Sequence, residues 1–253
     1  AKVVTGMIDP DPRVSGQGVA RLRQSGIEVV VGVAETACRQ LNEPFIHRVT
    51  HHKPLGIFKY AMTLDGKIAT TTGHSAWVTG QNARHWVHQL RGACDAVVVG
   101  GNTVRQDNPL LTTHHVTPHN PLRVVMSRQL DLPLAAKLWD VEEAKTLVFT
   151  EQGNHLARQQ QLLDLGVEVI VLGELTPSQV MQQLYDRGLS SVLWECGGVL
   201  GAKAISQGCI QKVMAFIAPK LIGGVTAPSP VGELGLAKMT EALPLDQVSV
   251  RTI

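Results

Sequence analysis

The chain has 253 residues, 44% hydrophobic and 17% charged, with a formal net charge of +2. That length buries a substantial core in one large domain or two smaller ones. The absence of a Lys/Arg-rich run argues against a nucleic-acid partner, and no apolar stretch approaches the roughly 20 residues that cross a bilayer. Four scattered cysteines (Cys38, Cys94, Cys196, Cys209), with no C-x-x-C pair, argue against a zinc ribbon or disulfide framework and for a reducing, cytoplasmic setting.

In chain order, Val3–Ile8 reads as a strand, Gln17–Gln24 as a helix closed by Gly26, and Ile27–Val33 as a β-branched strand. With the helix-compatible run Glu35–Leu41 they make a small βαβ-like unit. Asn42–Pro54, with Pro44 and three histidines, reads as a linker. Leu55–Leu64 and Lys67–Thr71 read as strands joined at Asp65-Gly66, a hairpin signal. Thr79 is the expected cap of a helix over Gln81–Arg91. Further strands are expected at Ala96–Gly100, Arg123–Ser127, Thr146–Thr150, Val167–Val171, Ser191–Glu195 and Val213–Ala218. Helices are expected at Leu156–Leu165, Ser178–Arg187 and Leu200–Ile205. The second has Thr176 as N-cap, Pro177 at the first helical position and Gln179 where a capping box wants it. Strands alternating with helices predict an α/β sheet, largely parallel. The chain opens in one strand-like run and closes in another, Val248–Ile253, without a signal peptide, so a piece of a longer protein is expected.

The richest local signal is Trp194-Glu195-Cys196-Gly197-Gly198, with Gly201 beyond it. Strand, glycine turn and helix offer backbone N–H groups to a phosphate, and Glu195 would stand at the crevice where open α/β sheets bind ligands. The full G-x-G-x-x-G fingerprint is missing, so alone this is a weak nucleotide-site signal.

Three further segments carry ligand-type residues: Lys59 to Lys67 running into Gly73-His-Ser75-Ala-Trp77, then Arg84 to Arg91, then Val97 to Thr112 with Thr103, Asp107 and Leu111. Together with Glu195 and its turn, and with Ala218 to Gly224, these motifs resemble the reductase domain of the bifunctional riboflavin-biosynthesis deaminase/reductase. The match runs from about Pro54 to the C-terminus. Residues 1–45 resemble the tail of that family's deaminase domain, through Asp9-Pro-Asp-Pro-Arg13 and Gly26 to Gly32. The deaminase zinc signature, H-x-E followed by P-C-x-x-C, is absent from the chain, so no metal and no deamination are expected. The division implied is a deaminase-like remnant over 1–45 and a reductase domain over 46–253.

The resemblance implies a dihydrofolate-reductase-like fold: a mostly parallel sheet flanked by helices, behind a small N-terminal βαβ remnant. It implies NADPH-dependent reduction of the ribosyl group of 5-amino-6-(5-phosphoribosylamino)uracil to ribityl, with hydride delivered to C1′ of the opened sugar. The partner is this phosphorylated pyrimidine, and the assembly a homodimer. Carried over by position, Ser75, Arg91, Leu111, His114 and Glu195 contact substrate. Ala61, Trp77, Thr103, Asp107, Ser127, Arg128, Gly197, Gly198, Val199, Leu200, Gly201, Ala202 and Lys203 contact NADPH. His114 stands where relatives often place arginine, so its charge is conditional near neutral pH. Ser127-Arg128 stands where they often read Asp-Ser, bringing a guanidinium near where a 2′-phosphate could sit.

Lys59 and Glu195 are the catalytic candidates: Lys59 shares a strand face with Ala61, and ring opening needs a proton moved between sugar oxygens. A structural salt bridge between them stays open as the alternative. Asp65-Gly66 alone reads as a turn, Trp77 as core or interface, Arg91 as a helix-dipole partner, and His85 with His88 as a solvated helix face. Two other functions remain: a reductase of this fold acting on another substrate, as dihydrofolate reductase does, or a nucleotide-binding module without turnover.

Overall fold

The structure is a computed structural model and describes residues 1–153 and 155–253. Two compact units emerge, Ala1–Leu55 with Met181–Ser190, and Gly56–Val180 with Ser191–Ile253. In the first, β1 (Lys2–Thr5), α1 (Gln17–Gln24) and β2 (Glu28–Val31) form a parallel β-α-β unit, followed by α2 (Glu35–Leu41) and α3 (Glu43–His51). Helix α3 corrects the expected linker over Asn42–Pro54. Pro44 lies in the first turn, where its missing N–H costs nothing, so it starts a helix instead of breaking one.

The remaining elements are β3 (Leu55–Thr63), α4 (Gln81–Gly92), β4 (Ala96–Gly100), α5 (Gly101–Asp107), β5 (Leu122–Met126), β6 (Thr146–Glu151), α6 (Leu156–Asp164), β7 (Glu168–Leu172), α7 (Pro177–Asp186), β8 (Ser191–Trp194), α8 (Gly198–Ser206) and β9 (Lys212–Ala218). Strands β3–β9 form a seven-stranded parallel sheet in the order β7-β6-β5-β4-β8-β3-β9. Its central strands read as unbroken β-branched runs because both faces are covered: Val97, Val98, Val99, Val124, Val125 and Val148 have no exposed surface. One side packs Val97, Val99, Val125 and Val148 against Leu130, Leu138, Trp139 and Leu162. From β4 the chain steps outward through β5, β6 and β7, then returns to place β8 between β4 and β3. The C-terminal ends of β4 and β8 therefore flank a topological switch point, where such sheets bind ligands.

The expected Lys67–Thr71 strand and its hairpin do not form. Strand β3 already has β8 on one edge and β9 on the other, so no edge remains for an antiparallel partner. Asp65-Gly66 makes a tight turn instead, closed by the Gly66 N–H to the Thr63 carbonyl at 2.9 Å. The Asp65 carboxylate accepts the backbone N–H groups of Ile222 and Gly223, the latter at 2.7 Å, which ties the turn to the loop after β9. A hydrogen bond from Thr63 and these backbone donors lower the Asp65 pKa to about 2. Helix α4 starts at Gly80 without a side-chain cap, so Thr79 is not its cap; the Thr79 carbonyl accepts from Arg84 Nη1 at 3.1 Å. Helix α7 does carry the expected cap bond, Gln179 N–H to Thr176 Oγ1 at 3.3 Å. Val248–Ile253 forms no strand: Val248 and Val250 are largely exposed, so that run buries nothing.

Glycines of the α8 turn serve different ends. A Cβ on Gly201 would come within 2.6 Å of the fully buried Phe58 ring, whereas one on Gly197, whose backbone is extended, would meet nothing within 4 Å. Gly201→Ala should cost about 1–3 kcal/mol of unfolding free energy in a urea titration, since the helix must lift off β3. Gly197→Ala should stay within about 0.5 kcal/mol of the parent.

Candidate functional site

The site is built on two strands and one helix. Lys59 projects from β3 on the same face as Ala61, Arg91 lies in the last turn of α4, and Glu195 immediately follows β8. Arg91 clasps Glu195 with both arms, Nε donating to Oε1 at 2.6 Å and Nη2 to Oε2 at 3.2 Å. Lys59 Nζ donates to Oε2 at 3.2 Å, and Arg91 Nη1 to the Thr112 carbonyl at 2.9 Å. Side-chain exposures of 9% for Glu195, 11% for Arg91 and 15% for Lys59 mark a cluster largely withdrawn from water. Burial alone would raise the Glu195 pKa. The charges of Arg91 and Lys59 and their hydrogen bonds outweigh it and hold the carboxyl at about 2.

Beside this cluster, α5 and α8 start at the switch point, and a Cβ on Gly100 would touch the Leu200 side chain at 3.4 Å. The N-cap of α8, Gly197, makes no side-chain cap bond, and Val199 is 76% exposed. Gly197 has open space around its Cα, while Gly198 behind it packs against the 229–232 segment. Thr103 and Asp107 lie on α5, which the sequence did not reveal: seven residues opening on one glycine behind the N-cap Gly100 show no helical period. Ser75 Oγ donates to Asp107 Oδ1 at 3.1 Å, joining an expected substrate contact to an expected cofactor contact. Trp77 is 69% exposed with a left-handed φ of 61°. Its ring lies 4.5 Å from the Arg84 guanidinium carbon, and its carbonyl accepts from Lys220 Nζ at 2.8 Å.

Ser127 is buried with its hydroxyl 3.5 Å from Asp131, while Arg128 reaches out beside Glu151 at 3.7 Å. Arg128 and Lys203 line one cavity of about 190 Å³ with Thr176 and Gln207, so the structure gathers the two cations expected near the cofactor. Ala202 is buried on α8. Leu111 is buried in the core with a left-handed φ of 55°. His114, φ 49°, stacks on His88 with ring centroids 4.3 Å apart. His88 is thus half-buried against another ring, which corrects the solvated-face reading.

Sequence reasoning missed Arg123, gave Thr112 no role of its own and set His88 aside as a solvated helix face. Arg123 on β5 is fully buried and its guanidinium donates to the carbonyls of Leu110, Asp140 and Ala144, with Nε left unpartnered. A lone arginine inside a valine run was the one available signal. Among the described residues no group of His, Cys, Asp and Glu is arranged to hold a metal ion, and no helix is long and apolar enough to cross a membrane.

Residues 54–253 match the family model described as the RibD C-terminal domain. The chain belongs to that family. It is 61% identical over its whole length to the riboflavin biosynthesis protein RibD of Synechocystis, covering 69% of that protein. It is 48% identical to the chloroplastic riboflavin biosynthesis protein PYRR of Arabidopsis thaliana over 98% of this chain and 43% of that one. Among solved structures, the Thermotoga maritima diaminohydroxyphosphoribosylaminopyrimidine deaminase/5-amino-6-(5-phosphoribosylamino)uracil reductase superimposes with a TM-score of 0.81 at 34% identity, over 96% of this chain and 65% of that chain. Acinetobacter baumannii RibD gives 0.83 at 31% identity, over 96% and 67%. The RibD reductase fold is the dihydrofolate-reductase-like one, and the seven-stranded parallel sheet here is its counterpart.

A depressed carboxylate pKa stabilises the fold fully above its unfolded value and loses that contribution as pH falls through the folded one. For Glu195 the window runs from 4.5 down to about 2. The shift corresponds to roughly 3 kcal/mol. Urea midpoints measured between pH 6 and pH 2 should fall across this window in the parent and fall less in Glu195→Gln, which starts lower because two withdrawn cations lose their counter-charge.

Proposed function

We propose that this chain reduces the ribosyl group of 5-amino-6-(5-phosphoribosylamino)uracil to ribityl with NADPH as reductant. The observation that carries this reading is the adjacency of the Lys59–Glu195–Arg91 cluster to the glycine start of α8 at the sheet's switch point. When bound, NADPH supplies the hydride. The residues present suit it: Gly197 to Lys203 for the phosphates, Ala61, Trp77, Thr103 and Asp107 along the dinucleotide, and Ser127 with Arg128 at the 2′-phosphate. Ser75, Arg91, Leu111, His114 and Glu195 hold the phosphorylated pyrimidine.

Within the site, Glu195 is ionised at neutral pH and is no proton donor there. The Lys59 ammonium, held in place by that carboxylate, donates a proton to the sugar ring oxygen as the ring opens. Glu195 offsets the positive charge that develops at C1′. Residues 1–45 correspond to the tail of a deaminase-like domain without its zinc ligands, and residues 46–253 to the reductase domain. A homodimer in the cytoplasm is the accompanying assembly and setting.

The test is oxidation of NADPH by the phosphorylated pyrimidine, followed at 340 nm. Pterin substrates should give no turnover; reduction of dihydrofolate instead would sink the assignment. Glu195→Gln and Lys59→Gln should each lose about 10²–10⁴-fold in kcat while keeping their NADPH affinity. Near-normal turnover in both would favour the purely structural salt bridge.

Arg128→Ala tests cofactor choice separately. A charge-assisted contact is worth about 1.5–3 kcal/mol, so the preference for NADPH over NADH should fall roughly ten- to hundred-fold. An unchanged ratio, read from tryptophan fluorescence titrations, would remove Arg128 from the 2′-phosphate site.

A further inference from the structure

The loop after β9 has no part in the proton and hydride chemistry, yet it lies along the segment that carries Ser75 and Trp77. The Leu64 N–H donates to the Lys220 carbonyl at 2.9 Å, and the Ile68 N–H to the Pro228 carbonyl at 3.0 Å. Between them, Asp65 accepts the Ile222 and Gly223 N–H groups, and a Cβ on Gly224 would come within 2.7 Å of Thr71 Cγ2. The Lys220 N–H turns back to the Ala218 carbonyl at 2.7 Å. Both main-chain groups of Lys220 are thus fixed, and its ammonium reaches the Trp77 carbonyl at 2.8 Å.

Trp77 is the residue in this segment that needs holding. A bulky side chain in the left-handed region is uncommon, and here φ is 61° with 69% of the residue exposed. Burial in the core is therefore not what stabilises this backbone. Its described contacts are two cations. Lys220 takes the carbonyl, and Arg84 lies against the indole with its guanidinium carbon 4.5 Å from the ring centroid, itself anchored by Nη1 on the Thr79 carbonyl at 3.1 Å. Strained backbone of this kind persists only where neighbours over-determine it, and it gathers at ligand clamps. An indole backed by a cation and otherwise open to water is a stacking surface for a planar group.

We propose that Lys220 is a positioning residue for the cofactor: its bond to the Trp77 carbonyl holds the left-handed backbone that turns the indole outward to meet NADPH. The proposal rests on the reductase reading above, which puts NADPH against Trp77. A lysine suits the task because its flexible stem spans the gap between two loops and its donors rotate onto a single carbonyl. Without that bond the Trp77 backbone relaxes into a commoner region and the indole leaves its place over Arg84. The cost of the uncommon conformation is met on folding, so cofactor binding does not have to order the indole. Lys220 acts through Trp77 and not on the reacting atoms, so its loss weakens cofactor binding without slowing the chemical step.

The test is a double-mutant cycle between Lys220→Met and Trp77→Ala, read by NADPH KM and kcat at saturating 5-amino-6-(5-phosphoribosylamino)uracil and by calorimetric NADP⁺ binding. Lys220→Met should raise the NADPH KM and the NADP⁺ Kd about three- to tenfold, the effect of one exposed hydrogen bond to a charged donor. Its kcat should stay within about twofold of the parent. Lys220 is exposed, so the urea midpoint of the variant should match the parent. Lys220→Arg, which can still donate to the carbonyl, should restore most of the affinity. In the Trp77→Ala background, Lys220→Met should change neither constant further. Unchanged cofactor constants in Lys220→Met, with normal turnover in the parent, would overturn the proposal and leave the reductase reading intact. The same loss in the presence and absence of the indole would also overturn it, since the lysine would then act on the cofactor directly. A parent that neither binds NADP⁺ nor oxidises NADPH would overturn the reductase reading and this inference with it.

Discussion

The Glu195 carboxylate is the constraint around which the functional half of the sheet is arranged. It receives Arg91 from the last turn of α4 and Lys59 from β3, so one side chain beyond β8 fixes a helix and a neighbouring strand in register. Taking three charges out of water is costly, and an apolar trio of equal volume would often fold as stably. What the charges add is definition: a bidentate guanidinium has one good orientation on a carboxylate, and Arg91 uses its remaining arm on the Thr112 carbonyl. The loop that carries Leu111 and His114 is thereby tied to the same anion.

A third withdrawn cation also supports that loop. Arg123 forms no salt bridge among the described residues and spends its donors on main-chain carbonyls at Leu110, Asp140 and Ala144. Burial lowers its pKa. Arg91 thus grips the loop at Thr112 and Arg123 at Leu110, on either side of Leu111, whose backbone sits in the left-handed region and whose side chain is in the core. Main-chain strain of this kind costs of order 1–3 kcal/mol per residue. Two guanidinium clamps and one buried leucine are the contacts that hold it.

Much of the sheet was legible because a buried parallel strand leaves a crude signature: four to six β-branched or aliphatic residues between turns, as at Ala96–Gly100 and Thr146–Glu151. Glu195 and Lys59 stood out because charged residues rarely end or interrupt such runs. The errors share one cause, that local signals do not report which edges are free. Asp65-Gly66 has the composition of a hairpin, yet β9 arrives from 150 residues away to take the edge that a hairpin would need. Pro44 is a breaker only in a helix interior, and α5 is too short for its period to show. The His88–His114 stack joins residues from a helix and a loop, and no spacing rule connects them.

The glycines of the α8 turn are small for different reasons. Gly197 is the position with open space around it, and there a small residue leaves room for a ligand. Gly198 is small for another reason: a Cβ there would lie 2.8 Å from the Ser229 carbonyl, and its own carbonyl accepts the Gly232 N–H at 3.0 Å. Gly232 is constrained reciprocally, since its Cβ would approach the Gly198 carbonyl at 2.9 Å. Gly201 is small so that α8 can lie against Phe58. Gly198 and Gly201 therefore answer to a crossing backbone and to a ring, while Gly197 borders open space. Those two contacts fix the helix start against β3 and the 229–232 segment, so the N–H groups beyond Gly197 are held in place before any phosphate arrives. A helix start held this way by packing gives up less conformational freedom when anything binds to it.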